Sequence, residues 1–177
     1  MKHIIAYSLG LLMLALCSCK NAGDVTFYES FNESFSVPAL TLAGATDTFS
    51  TPSIPNDLDS LMKANNTSAN LVQSVKLQAM TLTITAPAGQ NFSYLKSVQV
   101  FILTDSLPAV EIANQYTISG TSDTLNMNAD NAQLKPYLLS SNFQIKFLVT
   151  NNQATTAAQT VNAYLRFQFV ANILAAL

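Results

Sequence analysis

Cys17 and Cys19 are the only cysteines in the 177-residue chain, and His3 is its single histidine. These side chains have the most chemistry to offer, and all three lie at the start of the sequence. A disulfide between cysteines two residues apart would be badly strained, because bridged Cα atoms need a separation and orientation that adjacent backbone does not give. A structural zinc site wants four thiolate or imidazole ligands, and further Cys or His residues are missing. Beyond Cys19 the sequence has no thiol, no imidazole and no tryptophan. Ser-His-Asp and Cys-His nucleophiles therefore lack their base, and histidine-based zinc or iron sites lack their ligands. Five glycines in the whole chain provide no phosphate-cradling loop. Paired carboxylates alone can hydrolyse glycosides, and Asp57 and Asp59 are the closest pair. They fall in the first turn of a predicted short helix, where acids complement the helix dipole. Asn128, Asp130 and Asn131 in "MNADNAQ" cluster oxygens that calcium could use, without matching the twelve-residue calcium loop. A capping turn before a helix is the simpler role for them. The expectation is a protein that is not an enzyme and holds no cofactor and no metal.

The two cysteines read better as part of an export signal. Met1-Lys2-His3 is a short basic start, followed by the apolar run "IIAYSLGLLMLALCS". That order, ending in a small residue, is the pattern of a cleaved signal, and the run is shorter than a comfortable membrane-spanning helix needs. The cut site resembles a bacterial lipobox, with an apolar residue three before the cysteine and a small one directly before it. Leu16 and Ser18 fit those positions for Cys19; for Cys17 the residues are Leu14 and Leu16, and a bulky Leu16 directly before the cut is a poor fit. The sequence thus predicts a signal peptide over 1–18 and lipid attachment at the Cys19 sulfur. A tether over 19–24 follows, then one domain over 25–177. Bacterial lipoproteins typically carry three acyl chains, more than the two that stable anchoring requires.

The predicted mature chain is polar but weakly charged. Removing Lys2 from the eight Lys and Arg leaves seven, against ten Asp and Glu. No basic run exists, so no nucleic-acid partner is expected. The length suits one domain that buries enough surface to fold without disulfides.

Periodicity supplies the elements. In "TVNAYLRFQFVANI", Val161, Ala163, Leu165, Phe167, Phe169, Ala171 and Ile173 alternate with mostly polar residues, the pattern of a strand with one buried face. Phe143, Ile145, Phe147 and Val149 repeat it in "NFQIKFLVT", and the two could pair antiparallel. "VKLQAMTLTIT" slips phase between Ala79 and Met80, which a β-bulge would absorb. "LKSVQVFILT" is apolar on both faces, as a central strand would be. Shorter strands are expected at "AVEIAN", "YTIS" and "TLNMN". Helices are expected in "NDLDSLMKANN", capped by Asn56, and in "DNAQLKPYLLSS", starting close to Gln133 or Leu134 so that Pro136 falls in the first turn. "FYESFNESFSVPAL" has Phe27, Phe31 and Phe35 at a spacing that suits a helix or a strand; Pro38 and the strand-like "LTL" favour an extended edge segment. The sum is an all-β, antiparallel, immunoglobulin-like β-sandwich of about seven to nine strands with one or two short helices. Tyr164 and Arg166, on the polar face of the last long strand, are candidate ligand contacts. Tyr28, Tyr94, Tyr116 and Tyr137 are further aromatic candidates, although tyrosine in strands is more often a cross-strand packing partner.

"SVKLQAMTLTITAPAGQNFSYLKSVQVFIL", "EIANQYTI" and "LKPYLLSSNFQIKFLV" resemble small Bacteroidota-type outer-membrane lipoproteins with an all-β sandwich domain. The resemblance implies the lipid anchor and the sandwich, and no activity. Lys20 after the cysteine, in place of the Asp of inner-membrane retention, implies the outer membrane, with periplasmic and surface faces both open. Asp-Ser/Thr followed by an apolar residue resembles an O-glycosylation motif of exported Bacteroidota proteins. It occurs at Thr48, Ser60, Ser106 and Thr124, of which Ser106 and Thr124 are best placed, near predicted turns. The expected role is a non-enzymatic, membrane-anchored binding or scaffold module whose partner is an envelope protein or glycan. The alternatives are a surface carbohydrate-binding or adhesion module, with tyrosines clustered on one face, and a pilus-like subunit that assembles through a displaceable terminal strand.

Overall fold

The computed structural model describes residues 23–40 and 42–176. The predicted signal peptide and Cys19 lie outside the described residues. Among those described, no helix is long and apolar enough to cross a membrane.

Among the described residues the chain forms an antiparallel β-sandwich of ten strands: β1 (Asp24–Val37), β2 (Thr46–Ser50), β3 (Ile54–Pro55), β4 (Val72–Ala86), β5 (Leu95–Leu103), β6 (Val110–Gln115), β7 (Thr124–Asn126), β8 (Asn128–Ala129), β9 (Asn142–Asn151) and β10 (Gln159–Asn172). One sheet runs β1-β10-β4-β7; the other runs β2-β9-β5-β6-β8, with β3 also pairing β9. Two short helices, α1 (Asp59–Ala64) and α2 (Lys135–Leu138), lie in the connections. The Phe27-to-Phe35 segment, whose spacing suited either a helix or a strand, is a strand at a sheet edge, and "LKSVQVFILT" is the centrally placed β5.

Strict alternation drives the first sheet. Every odd residue of β10 from Val161 to Ala171 is buried, and β1 pairs with it without a slip from Asp24↔Asn172 to Val37↔Gln159. On β4 the ladder to β10 is interrupted three times, leaving Gln73, Gln78 and Thr85 as extra residues. Each bulge consumes one residue without changing the face that follows. Buried positions on β4 therefore space by three from Val72 to Val75 and from Leu77 to Met80, and by two elsewhere. The bulge expected near Ala79 is present, and Gln78 is its extra residue.

Between the sheets lies an aromatic seam. Phe27 stacks on Phe169 at 5.2 Å, Phe35 stacks on Phe147 at 4.4 Å, and Phe31 meets Phe143 edge-on at 5.1 Å. Such pairs add to the stabilisation from apolar burial. An apolar void of about 20 Å³ remains among Phe35, Phe49, Leu82 and Phe147, too small for a ligand.

Several local expectations are corrected. β9 and β10 do not pair with each other: the 152–158 connection crosses from one sheet to the other, and their inner faces oppose, with Phe143 and Phe167 at 6.3 Å. Both strands bury a face completely, and two such faces can cover each other. "YTIS" forms no strand, and "TLNMN" divides at buried Met127 into β7 and β8, which join different sheets. Asn56 does not cap α1, whose N-cap is Leu58. The Asn56 amide instead donates to the carbonyls of Leu138 and Ser140, tying the approach to α1 to the end of α2. The second helix begins at Lys135 with Pro136 in its first turn, as its sequence requires.

The chain enters and leaves the first sheet at one end. Ile173 N donates to Gly23 O at 2.9 Å, and Asn172 Nδ2 donates to Asp24 Oδ1 at 2.9 Å. Gly23 has φ +88°, and a Cβ there would lie 2.4 Å from Leu174 Cγ. Both the left-handed backbone and the close approach favour glycine.

Candidate functional site

The period of two that buries one face of β10 turns Asn162, Tyr164, Arg166 and Gln168 outward. The same period on β1 turns Tyr28, Ser30, Asn32 and Ser34 outward. Register then decides their neighbours: Tyr28 lies opposite Gln168, Ser30 opposite Arg166 and Asn32 opposite Tyr164. Residues from opposite ends of the sequence thus form one polar ridge on the outer face of the first sheet.

Arg166 is the centre of that ridge and the only arginine in the chain. Its guanidinium carbon sits 4.2 Å from the centroid of the Tyr28 ring, an arrangement stabilised by the ring quadrupole. Tyr164 OH and Ser30 Oγ lie 3.2 Å apart, and Gln168 Nε2 donates to Tyr28 OH at 3.4 Å. Asn162 Nδ2 donates to Ser34 Oγ at 3.3 Å. Among the described residues no carboxylate pairs with Arg166. A guanidinium carries donors in a planar fork suited to carboxylate or phosphate, so a stacked, acid-free arginine between two tyrosines can receive an anionic group while the tyrosines and amides contact its surroundings.

The other tyrosines do not join this ridge. Tyr94 is buried; its hydroxyl donates to Gln159 Oε1 at 2.7 Å, and burial pushes its pKa up to about 12. Tyr137 is also buried and donates to Pro108 O at 2.8 Å. Tyr116 is exposed just beyond the end of β6 and donates to Glu111 Oε1 at 2.9 Å. That hydrogen bond is the first cause of its raised pKa. Tyr28 and Tyr164 therefore share the ridge, and nothing in the sequence pattern signalled that Arg166 would cover Tyr28.

On the inner side of β1, Glu29 and Glu33 occupy positions between the seam phenylalanines and are half-buried. Neither makes a hydrogen bond or ion pair among the described residues. Desolvation by burial raises the Glu29 pKa.

The calcium candidates take other roles. Asn131 Oδ1 accepts from Lys76 Nζ at 2.6 Å, Asp130 N donates to Ile112 O at 2.7 Å, and Asn128 belongs to β8. Gln133 Oε1 accepts from Val75 N at 2.7 Å, fastening the start of α2 to β4. Asp59 lies in the first turn of α1, as the dipole reading requires, and Asp57 precedes the helix. Ser106 is exposed in a turn where its N–H donates to Thr104 Oγ1 at 3.3 Å. Thr124 is exposed at the first position of β7, its hydroxyl donating to Asp123 Oδ1 at 3.2 Å.

No protein-family model and no curated protein matches the chain. Among solved structures it is similar to a chain of Desmodium yellow mottle tymovirus. That match has 9% identity, covers 82% of this chain and 89% of that one, and has a TM-score of 0.25. It is also similar to a chain described under the promiscuous specificity of carbohydrate-binding modules from the β-sandwich superfamily. There the identity is 12% and the TM-score 0.31; 80% of this chain is covered and 54% of that one, about half its length. Neither likeness transfers a residue or a ligand.

Proposed function

We propose that the protein is a non-enzymatic lipoprotein, anchored at the outer membrane through Cys19, whose sandwich is a binding module. The outer ridge of Tyr28, Arg166 and Tyr164 is its contact face, and a carboxylate-bearing envelope glycan is the partner that its chemistry fits. One observation carries this reading: the only arginine in the chain is stacked on a tyrosine, flanked by a second tyrosine and by amides and hydroxyls, and unpaired with any acid among the described residues. Aromatic rings give a glycan apolar contact, and the arginine gives its carboxylate a charged fork.

Anchoring and binding are tested separately. Labelled palmitate should enter the wild-type chain and not Cys19→Ala. Protease on intact cells, with a lysed-cell control, distinguishes a surface position from a periplasmic one. Oligogalacturonate is the binding probe, with neutral dextran as control. Retention of oligogalacturonate that Arg166→Ala loses supports the contact face; equal retention of both polymers, or no effect of Arg166→Ala, sinks it.

A further inference from the structure

We propose that the end of the sandwich remote from Gly23 carries a second binding site: a polar cleft between the 87–94 and 152–156 connections that takes one neutral sugar ring. The cleft has a volume of about 220 Å³, and its lining includes Gln90, Asn91, Ser93, Gln153, Thr155 and Thr156. It is distinct from the Tyr28–Arg166 ridge and does not depend on the lipid anchor.

Its walls are fixed from behind. Asn152 N donates to Tyr94 O at 2.8 Å, joining one connection to the other. Phe92 and Tyr94 are buried, and Asn91 Oδ1 caps the short 3₁₀ turn between them by accepting from Ser93 N at 2.9 Å. Buried Gln159 accepts from Tyr94 OH at 2.7 Å, and its Nε2 reaches Gln90 Oε1 at 3.5 Å. Thr155 Oγ1 accepts from Leu40 N at 2.8 Å. The site is therefore substantially pre-formed, which lowers the ordering cost of binding.

Other groups in the lining are left for a ligand. The Gln153 side-chain amide, Ser93 Oγ, Thr156 Oγ1 and Asn91 Nδ2 make no hydrogen bond among the described residues. Gln153 and Thr156 are exposed. Amides and hydroxyls together present both donors and acceptors, and each hydroxyl of a sugar does the same. The lining contains no charged side chain, so a phosphate or carboxylate would find no counter-charge. The lining surface is mainly polar, so an apolar ligand would gain little. The space suits a monosaccharide unit whose hydroxyls can pair with these free amides and hydroxyls.

The test is an NMR titration of the isotope-labelled full chain in detergent. The probes are methyl glucoside, methyl galactoside and N-acetylglucosamine, with glucuronate and inorganic phosphate as charged controls. At least one neutral sugar should shift the backbone amides of Gln90 to Ser93 and Gln153 to Thr156, saturating at about millimolar concentration. Gln153→Ala or Thr156→Val, both at exposed positions, should weaken that binding by about tenfold, the value of one hydrogen bond. No saturable shift with any of the three sugars at about 100 mM overturns the proposal, given that such binding would be negligible. Shifts that neither substitution weakens, or that centre on Tyr28 and Arg166, also overturn it. Arg166→Ala should leave this titration unchanged, so failure of the ridge and failure of the cleft are read independently.

Discussion

Arg166 and Tyr28 hold each other in place, and that makes the contact measurable apart from any ligand. At 4.2 Å from ring centroid to guanidinium carbon on a solvent-facing sheet, the pair should contribute about 0.5–1 kcal/mol. A double-mutant cycle with Tyr28→Leu and Arg166→Ala, read by chemical denaturation, should return a coupling of that size; additivity would mean that the stacking has no energetic content. Glu29 poses the opposite situation. Burial raises its pKa above 4.5, so the fold tolerates its protonated form better than its charged one. Its contribution is fully present below about pH 4.5 and is lost as pH rises through the higher folded value. Glu29→Gln should therefore raise the denaturation midpoint at neutral pH and leave it nearly unchanged at about pH 3. Tyr94 gives the alkaline counterpart. Its phenol ionises near pH 10 in the unfolded chain and at about 12 when folded. Stability should fall as pH rises from 10 through 12, and Tyr94→Phe should flatten that slope even while it loses the hydrogen bond to Gln159.

At the scale of elements, much was legible because alternation is a local signal. β10 and β9 could be read directly, since their apolar residues alternate without interruption, and the β4 bulge could be read because its apolar series skips a beat. What could not be read was partnership. Nothing in "NFQIKFLVT" or "TVNAYLRFQFVANI" states whether the two strands share a sheet or face each other, because either arrangement covers their apolar sides. The ridge was hidden for the same reason: it exists only once Ser30 is known to lie opposite Arg166. The polar cleft was less legible still, because loop residues carry no period. β1 shows how one element can satisfy two demands. It is fourteen residues long and lies at the edge of its sheet, where a second chain could add a strand. The last long strand, β10, is paired on both sides, so a strand exchange would have to work through β1. Glu29 and Glu33 oppose that, since inward-pointing charges make edge pairing costly. Replacing both with valine should produce dimers or larger species in size-exclusion chromatography where the wild type gives a smaller one. If the double variant elutes as the wild type does, the two acids do not guard the edge.

For the molecule as a whole, the proposed anchor and the proposed contact sites fall at different places. Cys19 precedes Asp24, the first residue of β1, by five residues, a reach of at most about 18 Å for an extended chain. β1 and β10 are each fourteen residues long, so the first sheet extends about 45 Å from the Gly23 end to the polar cleft. An anchor at Cys19 would hold the Gly23 end near the bilayer. The ridge would lie along the side of the sandwich, and the cleft would lie at the end away from the anchor. The core contacts among the described residues already join the two sheets, so the sandwich should not depend on the lipid for stability. Cys19→Ala should move the chain from the membrane fraction to the soluble fraction and leave its thermal midpoint within about 2 °C, since a change of 1 kcal/mol would shift a domain of this size by roughly 2–4 °C. Retention in the membrane fraction would refute Cys19 as the anchor. Release with a large fall in midpoint would instead mean that the lipidated segment is part of the folded domain, and that the entry end of the sandwich is held by more than Gly23, Asp24 and their partners on 172 to 174.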